Sequence, residues 1–435
     1  MDEKKTDLDR RAFIEATAAA GAGMLLASCS KSHPKLTFVD SAPDGPLLKA
    51  GLIGCGNRGT GAALDFLKAG PNLKVVALAD VFPDRVEICR KKLAEAAQQQ
   101  VAEDRCYVGF DAYKKLIESD VDVILQATPP HFRAQHFDAI VEAKKPVFME
   151  KPLGVDPVGV RQILGSAEKA KAYRMPVVIG TIRRHQREIL ETRNRVVNGA
   201  IGRIVGARCY YCVGRLWFRK PEKGWSEMEA MIRNWVNWCW LSGDHIVEQH
   251  IHDIDSMCWF LGKYPTKAYA MGARMRRVTG DQYDFFSVDY TFDDDLHMES
   301  MCRQIDGCTN KQENWIIGTD GYTNCLNTIW DRTGKAVWQY QEEGQEAGKS
   351  KVDPFAQEHV DFVTSIRTGQ PINEATEVAQ ATLAAIMGRM SAYTGKEVTW
   401  EEAMKSDLRL GPTEYAMGPV PLKAEIPAPG LGIEV

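Results

Sequence analysis

The stretch Leu47-Leu48-Lys49-Ala50-Gly51-Leu52-Ile53-Gly54-Cys55-Gly56-Asn57-Arg58-Gly59 decides how this chain is read. An apolar run reads as a buried strand, the G-x-G-x-x-G spacing follows it directly, and 60–69 continues as a helix. Each glycine then has a geometric task. Gly54 permits a tight turn, Gly56 lets the backbone approach a pyrophosphate, and Gly59 lets helix and strand pack closely. The helix start offers unpaired N–H groups and a positive dipole end to the phosphates, which adds Asn57 and Arg58 to the expected cofactor contacts.

A second strand, 73–79, ends at Asp80, the acidic residue expected about 20 positions past the glycines. A carboxylate there accepts hydrogen bonds from ribose hydroxyls and repels a 2′-phosphate, so NAD is expected over NADP. Arg85 nearby keeps NADP as the lesser alternative. Strand and helix patterns then alternate: strand 106–108, helix 112–118, strand 121–128, helix 131–143 and strand 146–149. Such alternation predicts an α/β doubly wound parallel sheet, a Rossmann domain over 46–180. Ligands of such sheets sit at the carboxyl ends of the strands, where Thr128, Pro129, His131, Glu150 and Lys151 fall.

Composition sets the outer limits. The chain has 435 residues, 44% hydrophobic and 26% charged, which suits a soluble globular protein of two domains. Fifty-four basic and 58 acidic residues leave a net charge of −4, without the basic footprint that nucleic-acid binding requires. The 11 cysteines show no disulfide-framework spacing, and Cys209-Tyr210-Tyr211-Cys212 is read as ordinary strand sequence.

The N-terminal segment reads as an address. Asp9-Arg10-Arg11-Ala12-Phe13-Ile14 is a twin-arginine pair followed by apolar residues. The apolar run 18–27 is shorter than the roughly 20 residues a membrane span needs. It ends in Leu26-Ala27-Ser28-Cys29, which resembles a lipobox. The expectation is a signal over 1–28, a lipid on Cys29 as the only membrane attachment, a tether over 29–45, and an exported, periplasmic or cell-envelope protein. Because the twin-arginine route moves folded proteins, a tightly held cofactor recycled in place is expected.

Beyond the glycines, Asp80, Thr128-Pro129-Pro130-His131 and Glu150-Lys151-Pro152 resemble the Gfo/Idh/MocA oxidoreductases. The resemblance implies a C-terminal α+β domain with a mostly antiparallel open sheet, over 181–411. It also implies that Lys151 contacts cofactor and substrate. A second family pattern, G-G-G-x-x-x-D-x-G-x-H-x-x-D, matches 242–255 in spacing. It places the catalytic histidine at His252 and an acidic residue at Asp255. Ser242, Asp244, Glu248 and His250 depart from it, making the site bulkier and more polar. Family members commonly form dimers or tetramers, so a homo-oligomer is expected.

If 245 onward is one helix, His245, Glu248 and His252 share a face, and Glu248 orients the ring of His252. His252 would then be the general acid/base, with Lys151 assisting. His245, Glu248, His250 and His252 are ligand-rich in type, but the spacing matches no H-E-x-x-H or H-x-x-E-H motif, and no metal site is expected. Arg184, His185, His250 and Asp255 are the expected substrate contacts. The aromatic segment with Trp217, Phe218, Trp225, Trp235, Trp238 and Trp240 fits either a sugar platform or core anchors. The tail 412–435, with five prolines, reads as a surface arm or subunit contact.

Together these features predict an NAD-dependent oxidoreductase of a sugar, polyol or glycoside that works by hydride transfer. Two alternatives accompany it: a glycosidase using transient oxidation of the sugar ring, and a non-catalytic binding protein that carries the cofactor.

Overall fold

The structure, a computed structural model, describes residues 36–422 and 425–431. The expected signal 1–28, Cys29 and the first part of the tether lie outside the described residues. The opening apolar run is strand β1 (Leu48–Ile53). Around it stand β2 (Leu73–Asp80), β3 (Cys106–Val108), β4 (Val123–Gln126), β5 (Val147–Met149) and β6 (Val177–Ile179), in the order β3-β2-β1-β4-β5-β6. Every registered pair is parallel. Helices cover both faces of such a sheet, so its strands are apolar without alternation; all four residues of β4 are buried.

Helices α1 (Asn57–Lys68) and α2 (Pro83–Ala97) pack on one face through Phe66, Val86 and Leu93. Helices α3 (Ala112–Glu118), α4 (Pro130–Glu142) and α5 (Pro157–Ala172) cover the other through Leu116, Phe137 and Ile163. Helix α6 (Arg187–Val197) leads into β7 (Ile204–Val213), the first strand of a nine-stranded sheet. Next come the short helices α7 (Glu227–Arg233), α8 (Cys239–Ser242) and α9 (His245–Glu248), then α10 (Ile251–Leu261).

The remaining strands are β8 (Lys267–Ala273), β9 (Phe285–Thr291), β10 (His297–Gln304), β11 (Lys311–Gly318), β12 (Gly321–Thr323), β13 (Thr328–Asp331), β14 (Ala336–Gln339) and β15 (Val398–Thr399). The sheet order is β14-β13-β12-β11-β7-β10-β9-β8-β15, antiparallel except where β10 runs beside β7. Alternation marks a sheet covered on one side: in β8, Lys267, Tyr269 and Met271 are exposed between buried Ala268 and Ala270.

Two late helices join the halves. Helix α11 (Pro354–Thr368) returns to the parallel sheet, setting Val360, Phe362 and Val363 beside Phe66. Helix α12 (Ala375–Thr394) packs on both α5 and β8 and is buried nearly all round. Its alanines permit that close double contact. One hydrophobic core therefore runs from Ile124 and Phe137 to Val288 and Met298, which fixes the cleft between the halves. Helix α13 (Trp400–Lys405) closes the series behind a capping box from Thr399 and Glu402.

The described part of the tail is largely exposed, with Val420 joining the cluster of Phe82, Phe132, Met231 and Trp240, and Tyr415 packing against it. One expectation is corrected. The stretch from His245 is two helices, broken at Gln249 and His250, where the N–H groups of both residues compete for the carbonyl of His245. His245 and Glu248 therefore lie on one short helix and His252 on the next.

The turn into α9 depends on Asp244, which holds φ at 71°. Its buried carboxylate accepts hydrogen bonds from the N–H groups of His245 and Tyr283 and from the Tyr393 hydroxyl. Burial pushes its pKa up, while the Tyr393 hydroxyl opposes that shift. Asp244→Ala leaves these donors unpaired and is expected to cost about 3 kcal/mol in urea unfolding, with an unchanged m-value. Asp244→Gly should cost about 1 kcal/mol less, because glycine tolerates the left-handed backbone.

Candidate functional site

The carboxyl ends of β1, β2 and β4 open into a cavity of about 520 Å³. Gly54, Gly56, Asn57, Arg58, Gly59, Asp80, Thr128 and Pro129 all line it. The three glycines have distinct reasons. Gly54 has φ 97°, and a Cβ there would sit 2.7 Å from the Ala127 backbone. A Cβ on Gly59 would lie 1.8 Å from the carbonyl oxygen of Gly54. Gly56 has nothing within 4 Å of its Cβ position: it faces open space that a ligand backbone can approach. Helix α1 begins there with no side-chain cap, so its first N–H groups remain for an anion.

Asp80 is held rigidly at the far side. One carboxylate oxygen accepts from the Cys55 N–H at 2.7 Å, the other from the Phe82 N–H at 3.0 Å. Burial raises its pKa and these two N–H groups lower it. Each oxygen keeps a further lone pair for a ribose hydroxyl. An open glycine, an uncapped helix start and a fixed carboxylate together fit a dinucleotide.

Arg58 connects this cavity to the second cluster. Its guanidinium bonds to Glu150 and, at 3.3 Å, to Glu358. Glu150 itself is outside the cavity lining and packs on Gly180, where a Cβ would approach its carboxylate to 2.8 Å. The next residue, Lys151, crosses to the other half. Its Nζ donates to the Glu248 carbonyl at 2.6 Å and to Glu248 Oε1 at 2.8 Å, and both side chains are buried. His252 stands beside this pair on α10. Burial, and then the charges of Lys151, Arg183 and Arg58, push its pKa well below 6.5. The ring is therefore neutral at neutral pH, and among the described residues it has no hydrogen-bond partner.

The structure brings Lys151, Glu248 and His252 together but changes their roles. Glu248 binds Lys151 and Gln249 rather than orienting His252, because the helix breaks between them. The four expected substrate contacts are engaged inside the protein. Arg184 forms two bonds to Asp255, at 2.8 and 3.0 Å, and one to Glu377 at 2.6 Å. His185 bonds to Asp361 at 2.6 Å and faces Glu374; burial works against its charge, but the two carboxylates raise its pKa well above 6.5. His250 bonds to Ser300 at 2.7 Å and lies 3.4 Å from Asp253. Arg184, His185 and Asp255 are buried charges, and burial demands partners. Arg184 holds α10 through Asp255 and α12 through Glu377, while His185 is held by Asp361 and Glu374.

His131 is also displaced from its expected role. It sits outside the cavity lining, bonded to the Tyr415 hydroxyl at 2.8 Å and edge-on to Trp240, where burial lowers its pKa to about 4. His245 packs edge-on against Phe286, and among the described residues no three His, Cys, Asp or Glu side chains are grouped to hold a metal. Cys209 is a buried strand residue near His250. The aromatic segment divides: Trp240 is a core anchor, as one of the two readings has it, while Trp217 and Trp235 line the dinucleotide cavity. Sequence reasoning missed Arg219 and Arg233 in that wall, and Arg183, which bonds to Asp253 and to the His252 carbonyl. The arginines interleaved with tryptophan over 215–235 were the available signal.

Comparison with known proteins adds an independent line. A family model described as "Oxidoreductase family, NAD-binding Rossmann fold" matches residues 48–176, and one described as "GFO/IDH/MocA C-terminal domain" matches 189–323. An inositol 2-dehydrogenase of Rubrobacter xylanophilus is 27% identical over 231 residues, which is 53% of this chain and 56% of the relative. A glycosyl hydrolase family 109 protein of a Shewanella strain is 26% identical over 227 residues, 49% and 48% of the two chains. The chain thus spans about half the length of these curated relatives. Among solved structures, scyllo-inositol dehydrogenase from Lactobacillus casei, with bound NAD(H) and scyllo-inositol, superposes with TM-score 0.60 at 21% identity. That likeness covers 81% of this chain and 99% of the other and establishes a common fold.

Gly56 and Gly59 predict different signatures. Gly56→Ala should leave stability within about 0.5 kcal/mol of wild type yet weaken NAD binding, since only ligand space is filled. Gly59→Ala should lower both, because its methyl group must displace the Gly54 backbone. Calorimetric titration and thermal melting of the two variants check this.

Proposed function

The chain belongs to the Gfo/Idh/MocA oxidoreductases, and on that premise we propose that it is an NAD-dependent enzyme moving a hydride between a sugar, polyol or glycoside carbon and nicotinamide. The observation that carries this reading is the Lys151–Glu248 contact beside the unbonded, neutral ring of His252. The nicotinamide ring, when bound, supplies the hydride acceptor or donor. The glycine loop, the start of α1 and Asp80 would hold the dinucleotide. Lys151 has three N–H donors, two of them taken by Glu248, and the third is available to a substrate hydroxyl. Glu248 is the positioning residue for that lysine. His252 takes the hydroxyl proton as general base, and its lowered pKa keeps it ready to accept above the acidic range.

The test is turnover on a panel of inositols, free sugars and glycosides, followed by reduced nicotinamide absorbance. His252→Asn and Lys151→Met should each lower kcat about 10²–10⁴-fold while dinucleotide affinity changes little. In the wild type, kcat/KM should fall as pH drops below 6.5 through the depressed histidine pKa, and that limb should vanish in His252→Asn. Unchanged turnover in both variants would sink the assignment. A second reading, transient ring oxidation with return of the hydride, is favoured by the likeness to a glycosyl hydrolase family 109 protein. Glycoside cleavage without net change in NAD selects it.

We further propose export by the twin-arginine route with a lipid on Cys29, supported by Arg10-Arg11 and by Leu26-Ala27-Ser28-Cys29. In a bacterial host the wild type should incorporate labelled fatty acid and Cys29→Ser should not. A homo-oligomeric assembly is also proposed; the exposed Tyr269 and Met271 on the open face of the second sheet support it.

A further inference from the structure

We propose that 217–235, the connection from β7 toward the histidine helix, forms the second wall of the dinucleotide site and clasps the adenosine end of the cofactor through turnover. This rests on the dinucleotide reading above and extends it to residues of the opposite half of the chain. Facing Asp80, Phe82 and Arg85 across the cavity are Trp217, Arg219, Ile232, Arg233 and Trp235. Asp80 marks the ribose end of such a site, so what surrounds it surrounds the adenosine.

The wall is built and fastened. Asn234 accepts from the Arg219 N–H at 2.7 Å and donates to the Arg219 carbonyl at 2.9 Å, and Asn237 donates to the Trp217 carbonyl at 3.1 Å. Both asparagines are buried. Arg233 then ties the wall to the first half. It donates to both carboxylate oxygens of Asp84, at 2.8 and 3.0 Å, and its guanidinium lies 3.9 Å from the Phe82 ring centroid. Glu229 braces the same side chain at 2.9 Å. Behind it, Met228 and Met231 pack with Phe82 and Phe132, and the tail is pinned by a bond from the Val420 N–H to Glu227.

The chemistry suits an adenosine. Trp217 lines the cavity, is 45% exposed and lies under the Arg219 guanidinium at 5.7 Å from its ring centroid, so an aromatic ring and the planar cations of Arg85 and Arg219 stand together at the mouth where a purine can stack. The Arg233–Asp84 contact fastens this wall to the first half, so a nucleotide between them is held from both sides. The wall thus supplies the retention that an enzyme recycling its own cofactor needs.

The experiment measures dissociation of NADH by displacement in stopped flow, and binding of AMP by calorimetry, on the full-length protein. Asp84 is surface-exposed and outside the cavity lining, so Asp84→Ala removes only the fastening. It should speed dissociation about fivefold, as loss of a charge-assisted two-bond contact does. Trp217→Ala should speed it about tenfold or more and weaken AMP, with Trp217→Phe restoring most of both. Unchanged melting temperatures separate these effects from misfolding. If the wild type binds neither NADH nor AMP, the dinucleotide reading itself fails. If it binds both, and the two alanine variants release NADH within about twofold of wild type, the clasp is overturned while the dinucleotide site stands.

Discussion

A buried lysine–glutamate contact organises this molecule. Lys151 stands at the end of a parallel strand, and Glu248 closes a short helix in the other half; each is removed from water and each would be costly alone. Their pairing draws the two halves to one point. The lysine donates to the backbone carbonyl of Glu248 as well as to its carboxylate, so the backbone of that helix is held along with the side chain. Everything chemically useful is placed relative to this contact: Arg58 and Glu150 on one side, His252 on the other.

The surrounding polar network makes that placement rigid. Arg184 with Asp255 and Glu377, His185 with Asp361 and Glu374, and Arg183 with Asp253 tie α10 to the strand ends of the first sheet and to the two returning helices. A buried charge must find a partner, and these partners come from distant parts of the chain. His252 alone in this group is left without a bond, and its neighbours are cations. Burial and those charges keep its ring neutral. The paired charges support the fold, while His252 keeps its ring unbonded beside the Lys151–Glu248 contact.

Much of this was legible in the residues. The apolar run before Gly54, the glycine spacing and Asp80 foretold both the parallel sheet and the side of it that binds a ligand, because the period of apolar residues and the steric demands of glycine are local properties. Lys151 and His252 were legible as members of two family patterns. The role of Glu248 was misread, since helical geometry was extended through Gln249 and His250, where two N–H groups compete for one carbonyl. Arg184, His185 and Asp255 looked like ligands for a substrate because a sequence displays charge without displaying burial. Trp217 and Arg233 were illegible as lining of the Asp80 cavity, since they lie over 130 positions from the glycine loop.

By itself, then, the amino-acid sequence determined the strand and helix periodicity and the glycine turn that suits a dinucleotide. These follow from steric and chemical properties of residues close together along the chain. Only the tertiary structure decided which charges neutralise one another, and that residues 217–235 of the opposite half line the cavity beside Asp80. Those outcomes are set by desolvation and by contacts between distant segments, and neither exists until the shared core brings the segments together.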